Sequence, residues 1–138
     1  MAISAEVIHD LRVIPLDRRP HVSDAIRSYL GDSRGRWDGS TLVVETTNLN
    51  GLTHVTFAPS RSTDRTIVAE RFSLVGPDTL QYEVAISDPG TWTRPWTIAF
   101  PRKRRPNGLL YEYACHEGNY GLPNILSASR TAEKSASR

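Results

Sequence analysis

The stretch that decides the fold is TIVAERFSLVGPDTLQYEVAISD, residues 66–88. Apolar and polar residues alternate through both halves of this stretch, which is the period of half-buried β-strands. Gly76-Pro77-Asp78 separates the two halves and is typical of a tight turn. We therefore predict two antiparallel strands, 66–74 and 79–88, joined as a hairpin.

The same alternation recurs on both sides of this hairpin. It predicts further strands at 6–14, 42–47, 92–100 and 109–115, and Asp38-Gly39 predicts a second hairpin turn. Strands joined by short turns form a meander, which must close on itself or cover its apolar face. We expect a mainly β protein with minor α content, folded as a small, calycin-like antiparallel β-barrel. The alternative is a strongly curved meander sheet packed on helices.

Two segments predict helices. Residues 23–30 begin at Ser23, a favourable N-cap, and end at Gly31. Residues 124–134 follow Pro123 and predict a C-terminal helix. The chain has 138 residues without a repeat or a linker-like segment, which indicates a single domain spanning residues 1–138.

Composition narrows the class of protein. A single cysteine, Cys115, cannot form an internal disulfide, and we expect it to be a small buried hydrophobe. Neither metal-binding His spacings nor nucleotide-binding or serine-hydrolase motifs occur, so we expect no metal and no cofactor. No apolar run reaches the roughly 20 residues that span a bilayer, and the N-terminus has no secretory pattern. We expect a cytoplasmic protein with no membrane partner.

The densest basic run is Arg102-Lys103-Arg104-Arg105, in a chain whose formal net charge is +2. It is followed by Pro106-Asn107-Gly108, which is typical of a turn. Because no interleaved aromatic residues accompany it, we interpret the run as a solvated hairpin turn rather than a nucleic-acid contact. We expect the protein to bind no nucleic acid.

Several charged residues stand in phase with apolar residues on the predicted strands. The charged residues at these apolar-face positions are His9, Glu45, Glu70, Asp88 and Arg94. A buried charge costs several kcal/mol unless it is paired and hydrogen-bonded. The intrusions are therefore either internal ion pairs, such as Arg94 with Asp88 or Glu70, or the polar floor of a ligand cavity.

Residues 111–120 read YEYACHEGNY and hold the greatest density of reactive groups. Alternation along a strand would turn Tyr111 and Tyr113 to one side and Glu112 and His116 to the other. Only part of this segment could then face one pocket. We expect His116 to contribute to a site and the segment to join the last strand to the C-terminal helix.

These residues predict a cofactor-independent acid/base enzyme, a lyase, isomerase or hydrolase. Its substrate would be a small, mostly apolar molecule, such as an epoxide, enol or hydroxy-carbonyl, bound inside the barrel. The candidate catalytic residues are Asp88, Glu70, His116, His9 and Arg94, and the candidate substrate-binding residues are Tyr82, Trp92, Trp96, Glu45 and Tyr113. The substitution Asp88→Asn is expected to abolish turnover and to leave the fold intact.

Two other functions fit the same sequence. The first is a non-catalytic, calycin-like module that binds a small hydrophobic ligand. An enzyme needs two ionisable groups within reach of one substrate, whereas a binding module needs an apolar pocket with one or two orienting polar groups. The second is an interaction domain that forms a homodimer through an exposed sheet edge.

Several blocks of the sequence resemble a domain of uncharacterised bacterial proteins. The blocks are VIHDLRVIPLD (7–17), GDSRGRW (31–37), LVVETTN (42–48), TWTRPW (91–96) and YEYACHEGNY (111–120). The resemblance covers nearly the whole chain and implies one compact domain of bacterial origin, but it implies no chemistry. Many proteins that carry this domain are longer at the N-terminus and have an export signal, which weighs against the cytoplasmic expectation.

Overall fold

A computed structural model describes residues 1–52, 62–114 and 116–136, which form two antiparallel sheets and one C-terminal helix. The smaller sheet pairs β1 (Ala2–Ser4) with β2 (Leu11–Val13), and a turn of 3-10 helix, Val7–His9, connects them. The larger sheet is a five-stranded meander. Its strands are β3 (Asp32–Asp38), β4 (Thr41–Thr47), β5 (Ile67–Gly76), β6 (Thr79–Ser87) and β7 (Trp96–Lys103), and the helix is α1 (Gly121–Ala136).

The predicted hairpin of residues 66–88 is confirmed as β5 and β6. Its register pairs Val68 with Ile86 and Phe72 with Tyr82, so the residues of the predicted apolar face do share one side of the sheet. The register shifts between Leu74 and Gly76, which makes the strand bulge immediately before the turn.

The second predicted turn, after β3, is also confirmed. Asp38 pairs with Thr41 across a two-residue loop, and Gly39 adopts a φ of 59°. Such hairpin loops require positive φ, which glycine adopts without steric cost. The Asp-Gly dipeptide therefore fixes the register of β3 against β4.

The larger sheet is open in the described part of the chain, where β3 and β7 are its two edges. The predicted barrel closure is not observed, and α1 does not cover the sheet, since the helix has no buried residue. None of the described helices is long and apolar enough to cross a membrane.

The β1–β2 hairpin covers one end of the sheet. Ile14 is fully buried against Leu42 and Val44, and Gly35 donates its backbone N–H to the carbonyl of Pro15 at 2.9 Å. A Cβ atom on Gly35 would lie only 2.8 Å from the Ile14 side chain. Glycine at this position therefore lets the hairpin lie directly on β3.

A second apolar cluster lies at the other end of the same face. Leu49, Val68 and Ile86 form its buried part, and Trp92 and Trp96 pack against it. Because β5 contributes Val68 to this cluster and Phe72 to the edge of the first, Glu70 lies between the two clusters. The core is therefore interrupted at its centre by a carboxylate.

The helix predicted at residues 23–30 is wrong, because these residues form a turn and irregular chain. Asn48 donates its side-chain N–H groups to the carbonyls of Val22, Ser23 and Ile26, at 3.4, 2.9 and 2.9 Å. Ser28 pairs with Leu49 in an isolated parallel bridge. A distant amide thus takes the carbonyl groups that a helix would use.

One further predicted strand forms only in part, and another does not form in the described residues. Of the predicted strand 6–14, the structure forms only Leu11–Val13 as β2, and His9 has a left-handed φ of 59°, so it does not share a strand face with Val7. Residues 109–114 are irregular and pair with no strand. No hairpin follows the basic run in the described residues, since β7 itself runs into Lys103.

Other sequence predictions have simpler outcomes. The C-terminal helix is confirmed and is longer than expected, and β7 begins at Trp96 rather than at residue 92. The predicted burial of Cys115 concerns a residue outside the described ranges.

Candidate functional site

The candidate site is built around the buried carboxylate of Glu70, whose side chain is 6% exposed. Arg12 reaches it from β2, donates from Nη2 to Oε1 at 3.0 Å and places Nη1 2.7 Å from Oε2. Tyr82, on the neighbouring strand β6, donates its hydroxyl to Oε1 at 2.8 Å. One of the two alternatives from the sequence was an internal ion pair, such as Arg94 with Glu70 or Asp88; Glu70 does form an ion pair, but its cation is Arg12.

The two oxygens of Glu70 differ in their contacts. Oε1 accepts hydrogen bonds from both Arg12 and Tyr82. Oε2 is buried and lies 2.7 Å from Arg12 Nη1, at ion-pair distance, with no other donor among the described residues. Arg12 therefore contacts both oxygens of the carboxylate and neutralises its charge.

Aromatic rings surround this ion pair. The Tyr82 ring lies 5.0 Å from Phe72 on one side and 5.3 Å from Phe100 on the other, centroid to centroid. The guanidinium of Arg102 lies 5.2 Å from the Tyr82 centroid and 5.1 Å from that of Phe100. These distances are typical of favourable aromatic and cation–π contacts.

We name this surface the aromatic face and define it as Phe72, Tyr82, Ile98, Phe100 and Arg102. Cross-strand pairing of β5, β6 and β7 places these side chains on one side of the sheet. Towards the β7 edge the face is open, where Ile98 is 43% and Phe100 37% exposed. An apolar surface with an open edge can admit a ligand without rearrangement of the core.

The electrostatics of the aromatic face favour an anion. Two cations, Arg12 and Arg102, face a single carboxylate, Glu70, which leaves one positive charge in excess. Burial, followed by the charge and hydrogen bond of Glu70, raises the pKa of Tyr82 well above its usual range. The phenol therefore stays protonated and acts as a hydrogen-bond donor.

Asp88, the first candidate catalytic residue, has a different environment. Its carboxylate accepts hydrogen bonds from five donors, at 2.6 to 3.1 Å. The donors are the Thr63 backbone N–H and hydroxyl, the Thr66 hydroxyl, the Gly90 N–H and the Thr91 hydroxyl. Burial alone would raise the pKa of Asp88, but these hydrogen bonds outweigh it and hold the pKa well below its usual range. The arrangement favours a structural anion that joins two loops.

Asp88 and Glu70 do not converge. Glu70 pairs with Val84, and Asp88 lies four residues further along the chain. At about 3.3 Å per residue the two positions are roughly 13 Å apart. The contacts of Arg94, which is exposed, include neither carboxylate in the described structure. The predicted catalytic residues Asp88, Glu70 and Arg94 are therefore not brought together.

The two candidate histidines lie outside the aromatic face. His9 Nε2 accepts the backbone N–H of Tyr113 at 3.0 Å, and the two rings meet edge to face at 6.3 Å. His116 is exposed, and its carbonyl accepts the Asn119 N–H in a turn. His9 and Tyr113 thus fasten residues 111–113 to the N-terminal hairpin.

The remaining candidate binding residues divide between the core and the opposite side of the sheet. Trp92 and Trp96 meet edge to face at 5.4 Å and pack on the second apolar cluster. Glu45 is exposed on the face opposite Glu70, where its Oε1 lies 3.2 Å from His21 Nε2. Glu45 shares a face with Val43, as predicted, but Glu45 is exposed whereas Val43 is buried, so Glu45 is not a buried charge.

A shallow cleft of about 260 Å³ lies elsewhere on the molecule. It is lined by Asp24, Arg27, Thr47, Asn48, Asp64, Arg65, Thr66 and Ile67. Its two carboxylates and two guanidinium groups balance, and Arg27 pairs with Asp64 at 3.6 Å. This cleft therefore has neither the net charge nor the apolar wall of the aromatic face.

Sequence reasoning missed Arg12 and Arg102. Arg12 belongs to a separate sheet, and nothing in its own strand indicates a partner 58 residues away. Arg102 was interpreted only as part of a basic turn, although Phe100 and Arg102 stand in phase on a strand. Within the described ranges, no three His, Cys, Asp or Glu side chains are arranged to hold a metal ion.

Comparison with known proteins identifies no relative of the chain. No protein-family model, no curated protein and no solved structure matches the chain.

Proposed function

We propose that the protein binds a small, planar, mostly apolar molecule that carries an anionic group, and that the aromatic face is the binding surface. The observation that supports this proposal is the position of Arg102. Its guanidinium stacks on Tyr82 and Phe100 at the open edge, beside a carboxylate that Arg12 already neutralises. A planar guanidinium can stack on a ring and still bind an anion in its own plane.

The contacts of the titratable groups support binding over proton transfer. Glu70 is held by Arg12 and Tyr82, and Asp88 is enclosed by five donors roughly 13 Å away. A binding module needs only apolar surface and one or two polar groups that orient the ligand. The proposal retains the ligand class of a calycin-like module and does not require that the sheet close into a barrel.

A fluorescence titration tests the proposal with two matched probes, 1-anilinonaphthalene-8-sulfonate and the uncharged N-phenyl-1-naphthylamine. Arg102→Gln is expected to weaken binding of the sulfonate probe about 10-fold, the loss of one charge-assisted contact, and to leave the neutral probe unaffected. Phe100→Ala should weaken both probes, because both use the ring. Arg104→Gln is the control, since Arg104 lies two residues further on and is 70% exposed.

Three results would overturn the proposal. One is equal binding of the sulfonate probe by the wild type and Arg102→Gln. Another is an equal loss in Arg104→Gln, which would mean a general response to charge. The third is a Phe100→Ala variant that binds both probes as the wild type does.

A second candidate function, the acid/base enzyme, is favoured by one contact. Tyr82 and Glu70 lie 2.8 Å apart beside an open face, so one substrate could contact both ionisable groups, as acid/base chemistry requires. Tyr82→Phe separates the two functions, since it keeps the ring and removes the proton. Loss of turnover on an epoxide or enol substrate, with probe binding changed less than about 3-fold, would favour the enzyme.

A further inference from the structure

Positive charge is concentrated in one segment of the chain. Residues 89–111, which we name the basic segment, contain no Asp or Glu, and their basic residues are Arg94, Arg102, Lys103, Arg104 and Arg105. The whole chain has 17 basic and 15 acidic residues, so the remainder holds 12 basic and all 15 acidic side chains, a formal charge of −3. The modest net charge of +2 therefore combines a strongly basic segment with an otherwise acidic chain.

The cations of the basic segment lie at both ends of an open sheet edge. β7 pairs with β6 and is an edge strand in the part of the chain that the structure describes. Arg94 lies just before β7, the other four cations lie at its end and just beyond it, and all five are exposed. At about 3.3 Å per residue, β7 is roughly 23 Å long. An extended polyanion can contact both ends of the strand, whereas a single small anion can contact only one.

The other charges near β7 leave these cations available. Lys103 Nζ donates to Thr79 Oγ1 at 2.8 Å, and Arg104 Nη1 lies 3.9 Å from Asp78 Oδ1. Exposed contacts of this kind contribute little free energy and are readily exchanged. Glu83 follows Tyr82 on β6 and therefore points to the face opposite the rings. The positive charge at the β7 edge is thus not cancelled on the aromatic face.

Aromatic rings accompany this charge in the folded chain. Phe72, Tyr82 and Phe100 form a row across β5, β6 and β7, with ring centroids 5.0 and 5.3 Å apart. On β7, Phe100 shares this face with Arg102, whose guanidinium lies 5.1 Å from the Phe100 centroid. The expectation that the chain binds no nucleic acid rested on the lack of aromatic residues interleaved with the basic run. The fold supplies those rings from neighbouring strands.

Two other extended anions fit these features less well. An acidic protein strand would pair with the β7 edge through main-chain hydrogen bonds, but Pro101 has no N–H and interrupts that edge. A phospholipid surface presents phosphates but no planar groups to a row of rings. Single-stranded nucleic acid presents both, because its bases stack on aromatic side chains while its phosphates follow a basic surface.

We propose that the aromatic face and the basic segment bind single-stranded nucleic acid, with a base stacked on Phe100 and phosphates contacting the cations at both ends of β7. A duplex is excluded from this arrangement, because its bases are stacked on one another and are not free to contact a ring. The inference rests on the proposed function, since it takes a base as the planar group and a phosphate as the anionic group.

Fluorescence anisotropy tests the stacking contact with two labelled strands of about 12 nucleotides, one of thymidine and one abasic with the same number of phosphates. Phe100→Leu keeps an apolar side chain and removes the ring, so it should weaken binding of the thymidine strand about 10-fold and leave the abasic strand unchanged. Phe100→Tyr retains a ring and is the matched control, which should bind both strands as the wild type does. Circular dichroism verifies that each variant is folded.

The same assay tests the phosphate contacts through their salt dependence. Arg104→Gln should weaken both strands about 5-fold at about 50 mM salt and reduce the slope of log K against log salt concentration by about 0.7. Arg130→Gln removes an equal charge from α1, outside the basic segment, and should change neither strand. Arg104→Gln is also expected to spare the sulfonate probe, so the strand and the small probe report different parts of the surface.

Several results would overturn this inference. Equal binding of the thymidine and abasic strands by the wild type would leave only a general attraction to polyanions, and this comparison needs no variant. Equal binding of the thymidine strand and a duplex, or an equal loss in Arg130→Gln, would also contradict it. Binding of polyglutamate or of phosphatidylglycerol vesicles, without binding of the thymidine strand, would assign the basic segment to an acidic protein or to a lipid surface. Binding of the sulfonate probe without the strand would overturn this inference alone and leave the proposed function standing.

Discussion

Two carboxylates are buried to a similar degree in this protein and are stabilised in different ways. Glu70 is 4% exposed and Asp88 is 2% exposed. Glu70 faces a cation from a distant strand and a tyrosine hydroxyl. Asp88 faces neutral backbone and hydroxyl donors from the loops on either side of β5 and β6. One is balanced by charge, the other by hydrogen bonds alone.

This difference bears on the proposed function. The five donors around Asp88 occupy the acceptor positions of its carboxylate and leave no lone pair directed at a ligand. Glu70 lies on a face that opens at β7, and its described side-chain partners are Arg12 and Tyr82. Burial alone does not distinguish the two carboxylates, whereas the kind of partner does: Asp88 joins two loops, and Glu70 lies beside the proposed binding surface.

The largest expected effect comes from removing the carboxylate of Asp88. Asp88→Ala leaves five donors without their acceptor, two of them backbone N–H groups, and should lower the free energy of unfolding by roughly 3–5 kcal/mol. Asp88→Asn should also destabilise, by about 2 kcal/mol, because its amide places hydrogens against those donors. This replaces the expectation that the asparagine variant leaves the fold intact. Urea denaturation measures both values.

The control for this prediction is Asp78→Ala, in the exposed turn between β5 and β6. The side chain of Asp78 is 68% exposed, so its removal should cost less than about 1 kcal/mol. An Asp88→Ala variant as stable as Asp78→Ala would mean that the donors around Asp88 find other partners, and that the two buried carboxylates are not different in kind.

A smaller loss of stability is expected at Glu70, and it should be reversed when both charges of the pair are removed. Arg12→Leu leaves a buried charge without its cation and should destabilise by about 3 kcal/mol. The double variant Arg12→Leu with Glu70→Leu removes both charges and should return to within about 1 kcal/mol of the wild type. Chemical denaturation of the four chains measures the coupling. Additive losses in the double variant would contradict a charge-balanced site.

The third expected effect is a pH dependence of the stability that Asp88 contributes. Its folded-state pKa is depressed, so its stabilisation is fully present above the unfolded-state value of about 4 and is lost as pH falls below it. The gap of about 2 kcal/mol between the wild type and Asp88→Asn should therefore close between about pH 5 and pH 2. Denaturation curves at a series of pH values measure this gap. A gap that stays constant would mean that the ionised form is not what stabilises the loops.

Much of the fold follows from alternation along the chain. The β5–β6 hairpin, the turn at Gly39 and the C-terminal helix are all predicted by local pattern and confirmed. The same alternation placed Glu70 and Asp88 among apolar residues, and both are buried. These features depend on neighbours in the sequence, which is why the sequence predicts them.

The features that the sequence does not predict depend on distant partners. Asn48 takes the carbonyls of residues 22–26 and prevents a helix there. Residues 109–114 have strand-like alternation, yet Tyr111 and Tyr113 donate to side chains of the N-terminal hairpin instead of to a strand. Likewise, the cation for Glu70 comes from another sheet. The alternation of apolar and polar residues along the chain carries no information about such long-range contacts.

The separation between Arg12 and Glu70 has a consequence for biosynthesis. The two residues are 58 positions apart, and a ribosome adds roughly 5–20 residues per second. Glu70 is therefore synthesised several seconds after Arg12, and Tyr82, on β6, is synthesised later still. The meander can form from neighbouring strands as they appear, whereas the N-terminal hairpin must remain undocked until β3, β4 and β5 are in place. The first strands made are thus among the last to be fixed, and the environment of Glu70 is completed only when they dock.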